Sequence, residues 1–338
     1  SLKRKNLLTA GHPPIYDRSA LKLDQNQINE LMNQGKKPHW RFRLEDKRIE
    51  WNDIIKGRVI FEGKKLSDPI LIREDGSLLY HLPSVIDDID EKITDIIRGE
   101  DHISNTAYHI QLFEALGSAA PNFGHHPFLT DNKGKSFGKR IGSLSVQDLK
   151  NQGFENITVI NYLLNIGTSN NINNYKDIKS LINEFKINVL SSSSPKFSLE
   201  FLKSLNKDIL KKFDFIDVEK KFDKLGIQAD EKFWLFAKNN INFFKEIVNW
   251  WQIVDSNKSF IIKDKEFLSI AFNLLPIEPF NIKTWDIWTS EIEKKTSRKG
   301  KDLFMPLRLA LTGLEKGPEL KYLIPLLSRK KIEKRLGF

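Results

Sequence analysis

Arg98, Asp101 and His102 follow directly on a β-branched run in this chain of 338 residues, Ile96-Ile97-Arg98-Gly99-Glu100-Asp101-His102-Ile103-Ser104-Asn105-Thr106. Ile93-Thr94-Asp95-Ile96-Ile97 reads as a short strand. Ala107, Ile110, Phe113 and Leu116 then recur at helical spacing, with Ser104, Asn105 or Thr106 as N-cap and Gly117 as stop. A strand delivering charged side chains onto a helix start forms the crevice in which open α/β sheets bind ligands. There a guanidinium forks onto a carboxylate, and an acid holds an ammonium. A surface salt bridge at a strand end accounts for Arg98 and Asp101 equally well on these residues alone.

Other chemistry-bearing clusters are weaker. Gly134-Lys135-Ser136 has the end of a P-loop, but Leu129 stands where the first glycine is required, so that reading fails. His125-His126 are adjacent and so point to opposite sides of an extended strand, and no HExxH pattern or cysteine accompanies them, which argues against a metal site. Asp87 and Asp88 are neighbours on a predicted helix and point apart, which favours a solvated or capping role over an acid/base dyad.

Short alternating segments up to about residue 72, such as Trp40-Arg41-Phe42-Arg43-Leu44 and Arg58-Val59-Ile60-Phe61-Glu62, read as α+β. From 73 to 145 strand and helix alternate, with Pro127-Phe128-Leu129-Thr130 as a further strand and a helix opened by Ser145 with Asp148 three residues on. This is half of a Rossmann-like sheet. After Gly153 the pattern is helical, through Val159–Ile166, Ile178–Phe185 and Leu199–Leu205. The stretches from Gly167 to Asn174 and from Ser191 to Pro195 are loops. The aromatic run Phe233–Trp251 and the pair Trp285 and Trp288 are core by spacing, and Lys294–Lys301 is a basic turn.

Lys and Arg outnumber Asp and Glu 54 to 44, a net charge of +10, which makes nucleic acid the first partner to test. With no cysteine there are neither disulfides nor thiolate zinc sites. No apolar run approaches the roughly 20 residues of a membrane span, and no hydrophobic signal core follows Ser1-Leu2-Lys3-Arg4-Lys5, so a soluble cytoplasmic protein is expected.

Leu79-Tyr80-His81-Leu82-Pro83-Ser84-Val85-Ile86-Asp87-Asp88, then Ile97–His102, then Ser104-Asn105-Thr106 resembles, in order and spacing, the second half of the catalytic domain of bacterial glutamyl-tRNA synthetases. Pro13-Pro14-Ile15-Tyr16-Asp17-Arg18, Asp75-Gly76, Ser193-Ser194-Pro195-Lys196-Phe197 and Pro306–Gly313 extend the resemblance over nearly the whole chain. It implies a multidomain α/β plus all-α protein. A connective, acceptor-stem-binding α+β insert would span 1–72, and the second half of a Rossmann-like class I catalytic domain 73–145. A stem-contact region would follow at 146–228 and a helical anticodon-binding domain at 229–338.

The resemblance also implies roles. Tyr80, Ser84, Arg98 and Asp101 match positions lining a glutamate pocket, with Arg98 on the side-chain carboxylate; Ser84 stands where some relatives carry Asn. His102 and Leu129 match ATP-site positions, His102 beside the adenine or ribose. Lys133-Gly134-Lys135-Ser136-Phe137-Gly138-Lys139-Arg140 occupies the place of the KMSKS loop, and Lys139 matches its second lysine. Ammonium groups carried over the phosphates by a Gly-bearing loop stabilise charge developing on the leaving pyrophosphate. Ser136 and Gly138 depart from the motif, and Lys135 is one residue displaced from the missing lysine.

The activity so implied is ATP-dependent formation of glutamyl-adenylate and transfer of the acyl group to the 3′ end of tRNA(Glu), with charging of tRNA(Gln) left open. ATP enters with Mg²⁺, no zinc is expected, and the protein is expected to be a monomer. The HIGH-type signature is absent, so on the order of a hundred residues are expected in front and the chain as given is expected to be inactive. Three alternatives are a catalytically inactive tRNA-binding paralogue or fragment, the shortened relative that glutamylates a modified base in tRNA(Asp), and an unrelated nucleotide-binding enzyme, against which the failed P-loop pattern and the ordered family segments count. The second has no anticodon-binding part, whereas this chain continues for about 190 residues past the Lys-rich loop.

Overall fold

The computed structural model of the chain describes residues 9, 15–131, 134–135, 144–168, 173, 175–257 and 260–338. The described residues of Ser1–Gly138, Gly167–Ser169 and Lys186–Phe197 gather into one unit. Those of Lys139–Ile166, Asn170–Phe185 and Ser198–Phe338 gather into a second.

In the first unit, α1 (Gln25–Asn33) opens on a capping box between Asp24 and Gln27. Strands β1 (Trp40–Arg41), β2 (Arg48–Asp53), β3 (Gly57–Glu62) and β4 (Ile70–Ile72) follow, with β1 against β4 and β2 against β3, both antiparallel. Alternation in β2 buries Ile49 and Asp53 and leaves Arg48 and Glu50 outside. Helix α2 (His81–Asp90), β5 (Asp95–Gly99), a 3₁₀ turn (Glu100–His102), α3 (Ile103–Ala115) and β6 (Asn122–His126) complete the part that carries the site. Strands β5 and β6 run parallel, with Arg98 opposite His125. Beneath them Val85, Leu112, Phe113 and Phe123 form a buried core flanked by Trp51, Leu71 and Ile96.

Four expectations are corrected. The strand expected over Pro127–Thr130 lies at Asn122–His126 instead, and Thr130 makes only an isolated bridge to Lys196. Pro127 has no N–H for a ladder, and Asn and Gly disguise the true strand from propensity. Gly124 belongs in it because a Cβ there would sit 2.7 Å from the Ile97 Cδ1 and 3.4 Å from the Ile54 Cβ. The N-cap of α3 is His102, reached through the 3₁₀ turn and without a side-chain cap, so Ser104, Asn105 and Thr106 lie inside the helix. Gly117 does stop the helix with a φ of +73°, but Leu116 stays outside the buried stripe. Finally, only Trp40 and Arg41 of the segment Trp40–Leu44 are strand.

The second unit is helical. Its α4 (Val146–Gln152) opens on the expected Ser145–Asp148 box. Then come α5 (Asn156–Asn165), α6 (Ile178–Glu184), α7 (Leu199–Lys212), α8 (Phe215–Lys224), α9 (Glu231–Ala237) and α10 (Ile247–Asp255). The chain ends with α11 (Lys265–Asn273), α12 (Ile282–Thr296), α13 (Gly300–Thr312), α14 (Leu320–Leu323) and α15 (Arg329–Leu336). The aromatic run is core, as its spacing implies: Phe233, Trp234 and Phe236 are buried, and the Trp234 indole donates to the Phe213 carbonyl at 2.8 Å. Trp288 is buried too and donates to the Ala271 carbonyl at 2.7 Å, with Trp285 edge-on beside it. Within the basic turn, Arg298 pairs with Asp264 (2.7 Å) and Lys299 with Glu293 (3.1 Å), so part of its charge is locally neutralised.

Arg335 is fully buried without a carboxylate partner in ion-pair range among the described residues. Its guanidinium donates to the carbonyls of Leu311 (2.9 Å), Ile253 (2.5 Å) and Ser256 (2.8 Å), at the C-terminal ends of α13 and α10. A cation there satisfies carbonyls with no intrahelical donor and meets the negative ends of two helix dipoles. Burial pulls its pKa down to about 10.

Candidate active site

The site grows from the C-terminal ends of the parallel pair β5 and β6. Arg98 leaves β5 one residue before its end, half-buried. Its Nη1 donates to the Tyr80 hydroxyl (3.0 Å), its Nη2 to the Thr106 Oγ1 (2.6 Å) and its Nε to the His125 Nε2 (3.3 Å). The Phe123 ring lies 5.6 Å from the guanidinium carbon. Three elements thus grip the guanidinium: Tyr80 at the N-terminus of α2, Thr106 on α3 and His125 on β6. All three acceptors are neutral or held so, and no carboxylate reaches ion-pair distance of Arg98 among the described residues. Two of its five N–H donors remain for a ligand.

Behind the grip stands a fully buried pair. The Asp53 Oδ2 lies 2.5 Å from the His125 Nδ1, and its Oδ1 accepts backbone amides of Ile55 (3.1 Å), Lys56 (2.9 Å) and His125 (3.0 Å). Burial raises the Asp53 carboxyl, but those amides and the imidazole outweigh it and hold the net value below the usual carboxylate range. Burial lowers the His125 imidazole, Asp53 opposes that shift and Arg98 and His102 reinforce it, and the net direction is downward. With Nδ1–H turned to the carboxylate, Nε2 is left as an acceptor for Arg98 and the Thr106 hydroxyl (2.9 Å).

The residues singled out in the sequence divide as follows. Tyr80, Arg98 and His102 come together directly, the Tyr80 hydroxyl lying 3.3 Å from the His102 Nδ1. Asp101 is exposed, 3.8 Å from the His102 Nε2, and makes no ion pair with Arg98; the strand-end salt bridge is not formed. Gly99 permits this path, since a Cβ there would sit 2.6 Å from the Asp101 Oδ1. Ser84 lies one turn along α2, its amide donating to the Tyr80 carbonyl at 3.2 Å. Leu129 is half-buried in the segment after β6, next to Phe128, whose amide donates to Glu100 (3.3 Å). Lys139 and residues 136–143 around it lie outside the described residues. Asp87 is exposed, whereas burial raises the Asp88 carboxyl, an effect partly offset by Arg98.

Sequence reasoning missed Asp53, Thr106, His109 and the inward role of His125. His125 and His126 do point to opposite sides, one fully buried and one exposed. A pairing of Asp53 with His125 spans 72 residues, and no local pattern announces it. Among the described residues no group of three or more His, Asp or Glu side chains could hold a metal ion, and no helix is long and apolar enough to cross a membrane.

A second layer of histidine backs Tyr80. The His81 Nδ1 is 3.1 Å from the Nε2 of His109, which is fully buried with its Nδ1 unpartnered. Burial, reinforced by Arg98, lowers both, His109 to about 3. A folded pKa below the unfolded value near 6.5 means that the unfolded chain takes up the proton first. Stability is therefore expected to fall as pH drops below about 6.5, by about 1.4 kcal/mol per pH unit for His109 alone. Urea unfolding between pH 7.5 and 5 checks this, and a flat profile would contradict it.

Comparison with known proteins matches residues 2–204 to the family model described as tRNA synthetases class I (E and Q), catalytic domain, and residues 235–338 to an anticodon binding domain. The chain is 45% identical over 99% of its length to glutamate–tRNA ligase 2 of Rickettsia canadensis, covering 76% of that protein. It is 44% identical to glutamate–tRNA ligase 1 of Rickettsia typhi, again over 99% of its length and covering 75% of that protein. In fold it is similar to the crystal structure of a glutamate tRNA ligase from Elizabethkingia meningosepticum, with a TM-score of 0.78 at 22% identity, over 98% of this chain and 75% of that one. With one end of the chain matched to the catalytic domain and the other to the anticodon domain, the chain belongs to the class I tRNA synthetases of the glutamate and glutamine type.

Proposed function

We propose that this chain serves a glutamate–tRNA ligase, in which glutamate and ATP form glutamyl-adenylate and pyrophosphate, and the 3′-terminal ribose hydroxyl of tRNA(Glu) then takes the acyl group and releases AMP. The observation that carries the reading is Arg98: a half-buried guanidinium gripped by neutral acceptors, with no ion pair among the described residues and two N–H donors free. Such a group recognises a carboxylate by charge and by geometry, whereas a neutral carboxamide would leave the guanidinium without a counter-charge.

On this reading Arg98 takes the side-chain carboxylate of glutamate, with Tyr80 and Ser84 lining the pocket and Asp101 holding the ammonium. His102 and Leu129 serve the ATP side. Lys139 meets the phosphates, and Mg²⁺ enters as part of the ATP substrate. The regions 1–72, 73–145, 146–228 and 229–338 would serve the acceptor stem, the chemistry, the stem contact and the anticodon in turn. The protein would work as a monomer in the cytoplasm.

The test is ATP–pyrophosphate exchange and aminoacylation of tRNA(Glu) and tRNA(Gln) by the full-length gene product. Glutamate-dependent exchange by the full-length product supports the reading. Binding of tRNA without exchange would replace it with the inactive paralogue.

A further inference from the structure

We propose that Asp53, on the β2–β3 hairpin and outside the pocket itself, is a positioning residue that determines the preference for a carboxylate by fixing one tautomer of His125 behind Arg98. The proposal rests on the reading of Arg98 as the group that takes the substrate's carboxylate.

All the hydrogen bonds of Asp53 come from donors: three backbone amides, the Trp51 indole at 3.3 Å and the His125 ring. A buried, ionised carboxylate only accepts, so it admits the imidazole with its proton on Nδ1 and excludes the other tautomer. Nε2 then presents a lone pair, and with the Thr106 and Tyr80 oxygens it makes a cradle of three acceptors for Arg98. In the opposite tautomer an Nε2–H would face the Nε–H of Arg98, two donors head to head, and the guanidinium would turn out of line. The imidazole also keeps the negative charge of Asp53 one ring away. A carboxylate touching Arg98 directly would occupy the donors a ligand's carboxylate needs and cancel the charge that rejects an amide.

Asp53→Asn is the decisive variant, because an asparagine can donate to Nδ1 and so permits the wrong tautomer. In ATP–pyrophosphate exchange by the full-length gene product, it is expected to raise the KM for glutamate about 10- to 100-fold and to narrow the preference for glutamate over glutamine. The KM for ATP should stay put and kcat should change little. Imidazole ¹⁵N NMR of the 338-residue chain at pH 7 should show His125 neutral with the proton on Nδ1, and moved to Nε2 in Asp53→Asn.

A wild-type ring protonated on Nε2, or a variant with unchanged KM for glutamate, overturns the proposal. Should Asp53→Asn not fold, Thr106→Val removes one acceptor from the same cradle and is expected to raise the glutamate KM about tenfold, and no rise overturns the proposal equally. If Arg98→Ala leaves the glutamate KM alone while the NMR result holds, the reading of the pocket fails instead, which separates the two claims.

Discussion

Replacing Arg98 with alanine is expected to raise the glutamate concentration needed for half-maximal exchange by roughly 10²–10³, because truncating one partner of a partly desolvated charge pair costs several kcal/mol. The structure makes this loss larger than that of a surface arginine. Its guanidinium is held at three points, by Tyr80, Thr106 and His125, so little orientation remains to be frozen when a carboxylate arrives. Selectivity should collapse along with affinity, glutamine approaching glutamate, since Tyr80, Ser84 and Asp101, the other residues assigned to the pocket, carry no positive charge to tell them apart. Exchange kinetics at saturating ATP check the prediction, with thermal unfolding of the variant as the control for the three acceptors left empty. An increase below about tenfold would remove Arg98 from substrate recognition.

Lys139→Ala is expected to slow adenylate formation by roughly 10²–10³ with a smaller effect on the glutamate KM. The reason is chemical. Attack on the α-phosphorus drives charge onto the departing pyrophosphate, and an ammonium that reaches those oxygens only as the bond breaks lowers the barrier more than it tightens the ground state. Ser136 stands where the motif's first lysine is usual and Gly138 where its central serine is, so on the proposed reading the charge would come from Lys139 and from Lys135, one residue displaced from the missing lysine. Single-turnover formation of the adenylate in the full-length gene product is the measurement, and unchanged pyrophosphate exchange would reject the role.

Local rules carried some parts of the chain a long way. The Ser145–Asp148 box, the apolar stripe of Ala107 and Phe113 and the stop at Gly117 depend on atoms within a turn or two of each other, and each is where its pattern puts it. Strand β6 was misplaced because Asn122-Phe123-Gly124-His125-His126 has poor strand propensity and is chosen by its partners, the parallel ladder to β5 and the close approach of Ile54 to Gly124. The helix start moved because a 3₁₀ turn, rather than a side-chain cap, carries the chain from β5 into α3, leaving the Thr106 hydroxyl free to reach Arg98.

Taken by itself, the sequence settled the strand-turn-helix around Arg98, the aromatic core of the helical unit and the family to which the ordered segments point, since periodicity and spacing are properties of neighbours. Only the tertiary structure decided what surrounds that arginine. Asp53, Thr106 and His125 come from three separate elements, and whether a guanidinium is neutralised by an acid or left charged within a cradle of neutral acceptors depends on which distant side chains packing brings within 3.5 Å of it.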